Sequence, residues 1–164
     1  MLRRILLLIF LFPVLAFSQE NADDALFIKS IYFGGGSYYV DYQQIIELQE
    51  FLNSIPHIET YYITVHSHTD NIGGVDYNNW LSQMRSTSVV ERLILNEIKS
   101  EMIEIKDFGL HNPVYDNSTW EGRIRNRRVD IILHPLVLWW NHKIEMLDRN
   151  NDTILVLHVN YFMK

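Results

Sequence analysis

The sequence predicts a two-layer α/β (α+β) sandwich in the order β-α-β-α-β-β, with a mixed sheet of roughly four strands and helices mainly on one face. Three observations carry this. Ile45, Leu48, Leu52 and Ile55 recur at the spacing of one helix face. Glu59 to His68 alternates, with Tyr61, Ile63 and Val65 on one side and Tyr62, Thr64, His66 and His68 on the other, as a half-buried strand does. A second, longer helical stretch follows, so strand, helix, strand and helix come in succession, which predicts adjacent parallel crossovers.

In chain order, the β-forming run Leu26 to Phe33 closes on Gly34-Gly35-Gly36 and predicts a strand and a loop. Asp41 is a natural N-cap for the first helix, and Pro56 stands beyond its end. The alternating strand gives way to the turn-prone Asp70-Asn71-Ile72-Gly73-Gly74 and then to a helix over about Tyr77 to Ser100, carrying Leu81, Val89, Leu93 and Ile94. Met102 to Phe108 and Val129 to Leu133 predict two further short strands, joined by a Gly-, Asn-, Pro- and Ser-containing connection from Gly109 to Trp120. The domain is thus expected over 26–134. The extension 135–164 holds Trp139-Trp140 and a possible extra edge strand at 154–162.

The first eighteen residues read as a secretory signal peptide: Arg3 and Arg4, an apolar run from Ile5, then Ala16-Phe17-Ser18. The run spans thirteen residues and contains Pro13, short of the roughly 20 that a membrane-crossing helix needs. A flexible segment, 19–25, should follow. Removing the signal takes away two of the 14 basic residues and none of the 20 acidic ones, leaving 12 against 20 and a net charge of −8. That balance disfavours nucleic acid as a partner. With no cysteine, the chain has no disulfide framework, no thiolate chemistry and no thiol for lipid attachment.

Arg85 is the most informative single residue. It sits four positions after Leu81 and four before Val89, on the row that should face the core, and a charge there needs a partner. Asp70, in the loop that ends the preceding strand, is the natural candidate. Two charges meeting where a strand ends and a helix begins occupy the usual place for ligand capture in α/β folds, although a purely structural ion pair would have the same residues. Arg123, Arg125, Arg127 and Arg128 form a dense basic stretch. Those that enter the last strand should alternate between faces, so the stretch is expected to close the fold rather than to bind one ligand.

His68-Thr69-Asp70-Asn71-Ile72-Gly73, then Asn78, Leu81-Ser82 and Arg85, then Gly122-Arg123 and Asn126-Arg127-Arg128-Val129 resemble, in order, successive signatures of the OmpA-like (OmpA/MotB C-terminal) family. The resemblance covers Leu26 to Leu133. It implies a non-catalytic peptidoglycan-binding module without cofactor, exported to the periplasm and associated with the outer membrane. Asp70 and Arg85 would bracket the diaminopimelate of a stem peptide, the carboxylate accepting from an ammonium and the guanidinium gripping a carboxylate. Asn78 would line the pocket, Thr69 would set the loop, and Phe33 and Arg128 would support the site. The chain departs from the pattern at Ser67, at Ser86 and, more seriously, at Gly34-Gly36, where many members carry an acidic or amide residue. A different or looser pocket wall is expected there.

Two alternatives stand beside this reading. One is a degenerate member serving as a scaffold in an envelope complex, with an outer-membrane or envelope protein as partner, suggested by Gly34-Gly36 and by Trp139 and Trp140. The other is a metal-dependent hydrolase, because His66-Ser67-His68-Thr69-Asp70 resembles the H-x-H-x-D-H motif of the metallo-β-lactamase fold. Asn71 stands where that motif needs a further His, and His111, His134, His142 and His158 do not supply its spacing. No G-x-S-x-G elbow supports serine hydrolysis, so the chain is expected not to be an enzyme.

Overall fold

Residues 27–136 are described by the computed structural model; the expected signal peptide, the 19–25 segment and the Trp139-Trp140 and 154–162 features lie outside them. The chain runs β1 (Phe27–Tyr32), α1 (Tyr42–Ser54), β2 (Tyr61–His68), α2 (Val75–Leu95), β3 (Ile103–Gly109), α3 (Trp120–Asn126) and β4 (Arg128–Pro135), with short 3-10 turns before β2 and β3. Asp41 caps α1 as expected: its carboxylate accepts from the Gln44 backbone N–H at 2.9 Å. Helix α2 ends at Leu95, earlier than its apolar spacing suggested, with Glu97 at φ 66° turning the chain away.

The four strands form one mixed sheet in the order β1-β4-β2-β3, as the predicted fold class requires. Its order corrects one expectation. β1 and β2 are not adjacent: β4 lies between them and pairs antiparallel with both, and only β2 and β3 are parallel neighbours. The reason is burial. Val129, Ile131 and Leu133 of β4 are all fully buried, and the centre of the sheet is where such a row loses most contact with water.

Registers place Ile31 opposite Val129, Val65 opposite Ile131 and Ile63 opposite Leu133, all on one face. Leu48 and Leu52 of α1 and Val89 and Leu93 of α2 pack against that face and make the core, each full burial stabilising by roughly 1.5–3 kcal/mol. The opposite face is more polar: Thr64, His66, Asp130 and His134 lie on it beside Ile28 and Ile132, and His134 Nε2 meets the Thr64 hydroxyl at 2.9 Å. Helix α3 was not foreseen in the connection before the last strand. Its start was nevertheless written there, since Thr119 accepts from the Gly122 N–H as an N-cap, with Glu121 in the first turn and Arg123 and Arg125 in the last.

Candidate binding site

One row of α2 turns toward the sheet: Asn78, Leu81, Ser82, Arg85, Ser86, Val89 and Leu93 are all buried. Helical side chains lean toward the N-terminus, so Arg85 reaches the carboxyl end of β2. There its Nε donates to the Ser37 carbonyl at 2.9 Å, Nη1 to His68 at 3.1 Å and Nη2 to Gly34 at 3.0 Å. Its guanidinium also sits 5.0 Å over the ring of Phe33. Burial pushes the Arg85 pKa down to about 10, against the pull of Asp70 and with the Arg127 charge adding to the depression; the group stays cationic at neutral pH.

This corrects the expected pairing. Arg85 makes its hydrogen bonds to three backbone carbonyls, and the ion pair of Asp70 is with Arg127, whose Nε lies 3.5 Å from Asp70 Oδ2. A guanidinium carries five N–H donors; Arg85 spends three in these contacts. The Arg127 Nε is buried yet donates no hydrogen bond, and so the Asp70–Arg127 pair is close without being closed. Sequence reasoning put Arg127 among the fold-closing arginines. The available signal was the alternation of Arg127 and Arg128, which sends one of them toward the loop after β2.

The glycine loop explains the geometry. A Cβ at Gly35 would meet Arg127 Nη1 at 2.7 Å, so a larger residue there would push the end of this arginine aside. An arginine side chain thus lies against this glycine loop. On the other side, Asp70 Oδ1 accepts from the Ile72 N–H at 3.2 Å. Asn78 donates to the Ile72 and Gly74 carbonyls, both at 3.1 Å, and so braces the loop that carries Asp70. Thr69 is buried; its N–H donates to the Gly109 carbonyl at 2.8 Å and its hydroxyl has no partner among the described residues. Ser67 donates to the Ser82 carbonyl at 2.8 Å, which stitches β2 to α2.

Arg128 goes elsewhere. Its Nε bridges both oxygens of Asp130, at 3.2 and 3.0 Å, and Ser30 donates to the same carboxylate at 2.6 Å. His66 and His68, the suggested metal pair, lie against Phe108, with ring centroids 5.4 and 4.9 Å from it. Among the described residues no three His, Asp or Glu side chains converge in a way that could hold a metal ion. Burial, followed by the Arg128 charge, pushes the His68 pKa down to about 4.

Two guanidinium groups and one carboxylate are thus gathered at the end of a central strand and the start of a helix. The comparisons give the family. The model of the OmpA family matches residues 32–127, and the chain belongs to that family. It is 43% identical over 74 residues to the probable lipoprotein YiaD of Escherichia coli, covering 45% of this chain and 34% of that protein. It is 31% identical over 94 residues to the peptidoglycan-binding protein ArfA of Mycobacterium tuberculosis, covering 57% and 28%. The chain thus spans about a third or less of these relatives. The crystal structure of the peptidoglycan-associated lipoprotein from Burkholderia pseudomallei superposes with a TM-score of 0.60 at 27% identity, covering 65% of this chain and 90% of that one. None of these names is that of an enzyme.

Proposed function

We propose that the chain is a peptidoglycan-binding module that holds the diaminopimelate of a stem peptide between Asp70 and the guanidinium groups of Arg85 and Arg127. The observation that carries this is the open pair: Asp70 and Arg127 stand 3.5 Å apart with a buried donor unused. Asp70 receives the ligand's ammonium, and the ligand's carboxylate takes the guanidinium donors that the protein leaves free. The side chain of Arg127 keeps 15% of its surface exposed while Arg85 keeps none, so Arg127 meets the carboxylate first and Arg85 holds the loop carbonyls around it. Thr69 and Asn78 set the loop.

Export by the 1–18 signal would deliver the module to the periplasm, near the outer membrane. Mass spectrometry of the exported form should then find an N-terminus at or next to Gln19, and a retained Met1 would refute the processing. The binding test is retention on purified diaminopimelate-containing sacculi. Asp70→Ala and Arg85→Ala should each lose roughly tenfold or more in affinity, with circular dichroism confirming the fold. The complete burial of Arg85 favours a second reading, a scaffold domain in an envelope complex whose charges only brace loops. A parent chain that is not retained on sacculi would establish that reading instead.

A further inference from the structure

Beside the proposed clamp lies a run of aromatic rings that the core does not use. Tyr77 and Trp80 are three residues apart on one face of α2, with centroids 5.8 Å apart; Trp80 meets Tyr38 edge-on at 6.0 Å, and Tyr38 stacks on Tyr39 at 4.9 Å. Tyr39 is 75% exposed, Trp80 46% and Tyr77 44%. The run is continuous with the clamp. A Cβ at Gly36 would stand 3.1 Å from the Tyr77 hydroxyl and one at Gly73 2.9 Å from its ring, so Tyr77 bridges the two loops that hold Arg85 and Asp70. Tyr38 and Tyr39 follow directly on Ser37, whose carbonyl Arg85 grips.

We infer that Tyr77, Trp80, Tyr38 and Tyr39 form a saccharide platform that takes an amino-sugar ring of the glycan strand while the clamp takes its stem peptide. The inference rests on the clamp reading. Its chemistry is that of the side chains: flat rings offer π faces to the C–H face of a pyranose, and Tyr hydroxyls and the Trp N–H offer polar edges to its hydroxyls. Its geometry is one of reach. The diamino acid is the third residue of a stem peptide, so at about 3.5 Å per extended residue the sugar sits on the order of 10 Å from the clamp. The four rings, linked by steps of 5.8, 6.0 and 4.9 Å, make a continuous aromatic surface beside the clamp on which such a sugar can lie.

Calorimetric titration of the full chain with two ligands tests this: the L-Ala–D-Glu–diaminopimelate tripeptide alone, and the same peptide on its N-acetylglucosamine–N-acetylmuramic acid disaccharide. The parent should bind the sugar-bearing form about tenfold more tightly, the scale of one or two aromatic contacts. Tyr39→Ala and Trp80→Ala should remove that increment and leave tripeptide affinity unchanged. If the parent binds both ligands equally, or the variants weaken both equally, the platform is overturned while the clamp stands. Tripeptide that does not bind the parent at all overturns the clamp and the platform with it. Sedimentation with phosphatidylethanolamine–phosphatidylglycerol vesicles that the two variants abolish, with no sugar increment, would assign the rings to a lipid surface and likewise refute the inference.

Discussion

Arg127 and Arg128 are neighbours in the chain and opposites in the structure. Arg128 faces the polar side of the sheet, where its Nε bridges both oxygens of Asp130 and Ser30 completes the carboxylate's contacts. Arg127 faces the loop after β2, where it stands 3.5 Å from Asp70 with its buried Nε unbonded. Both are buried arginine–carboxylate pairs, and an inventory of ion pairs would treat them alike. The difference lies in hydrogen-bond satisfaction. The Arg128–Asp130 pair is closed by hydrogen bonds and acts on the fold, whereas the Asp70–Arg127 pair leaves one buried donor unbonded, and the proposed clamp is built on that pair.

The largest expected effect falls on the closed pair. Arg128→Ala leaves the Asp130 carboxylate, with 16% of its side chain exposed, without its cation, and should destabilise the domain by about 3–5 kcal/mol. Urea unfolding measures this. Sacculus retention of the molecules that remain folded should be unchanged, and a specific loss of retention would erase the contrast between the pairs.

Acidification acts on the same face. His68 is buried, stacked on Phe108 and held down to about pH 4, below the ordinary value near 6.5. The unfolded chain therefore binds the extra proton between those values, and stability must fall as pH drops through that window, by about 3 kcal/mol at its lower end. Burial lowers the His66 and His134 pKa values as well, in the same sense. Denaturation at pH 7 and pH 4.5 should show a steeper loss for the parent than for His68→Gln. Equal slopes would mean that the histidine is not held neutral by the fold.

A smaller stability effect is expected at the open pair. Arg127→Ala leaves Asp70 without its cation but also removes an unsatisfied donor and a charge that opposes Arg85, so the domain should lose less stability than in Arg128→Ala while sacculus affinity falls roughly tenfold. A destabilisation as large as that of Arg128→Ala would make the two pairs structural equals.

Much of this was legible beforehand. Helical spacing and alternation located α1, β2 and α2, and Asp41 marked the start of α1 because a cap is a local interaction. Arg85 stood out because a charge on an apolar row must find partners. Its partners, however, are backbone carbonyls of Gly34, Ser37 and His68, and a carbonyl has no letter of its own in a sequence. The position of β4 between β1 and β2 is a long-range pairing that element order does not encode. Helix α3 escaped because Trp120–Asn126 carries no apolar stripe, although Thr119 and its flanking charges were readable as cap and dipole signals. Arg127 escaped because its neighbours, Asp70 and Gly35, come from distant segments of the chain.

The most direct test of the open pair is the shift in melting temperature caused by a diaminopimelate-containing tripeptide, measured for the parent, Asp70→Asn and Asp130→Asn. Ligand at a hundredfold its dissociation constant stabilises the binding-competent fold by about 2.7 kcal/mol, a shift of several degrees for a domain of this size. The account predicts that shift in the parent and in Asp130→Asn, the latter from a lower starting temperature, and none in Asp70→Asn. An Asp70→Asn protein that melts higher with the tripeptide, as the parent does, would contradict it.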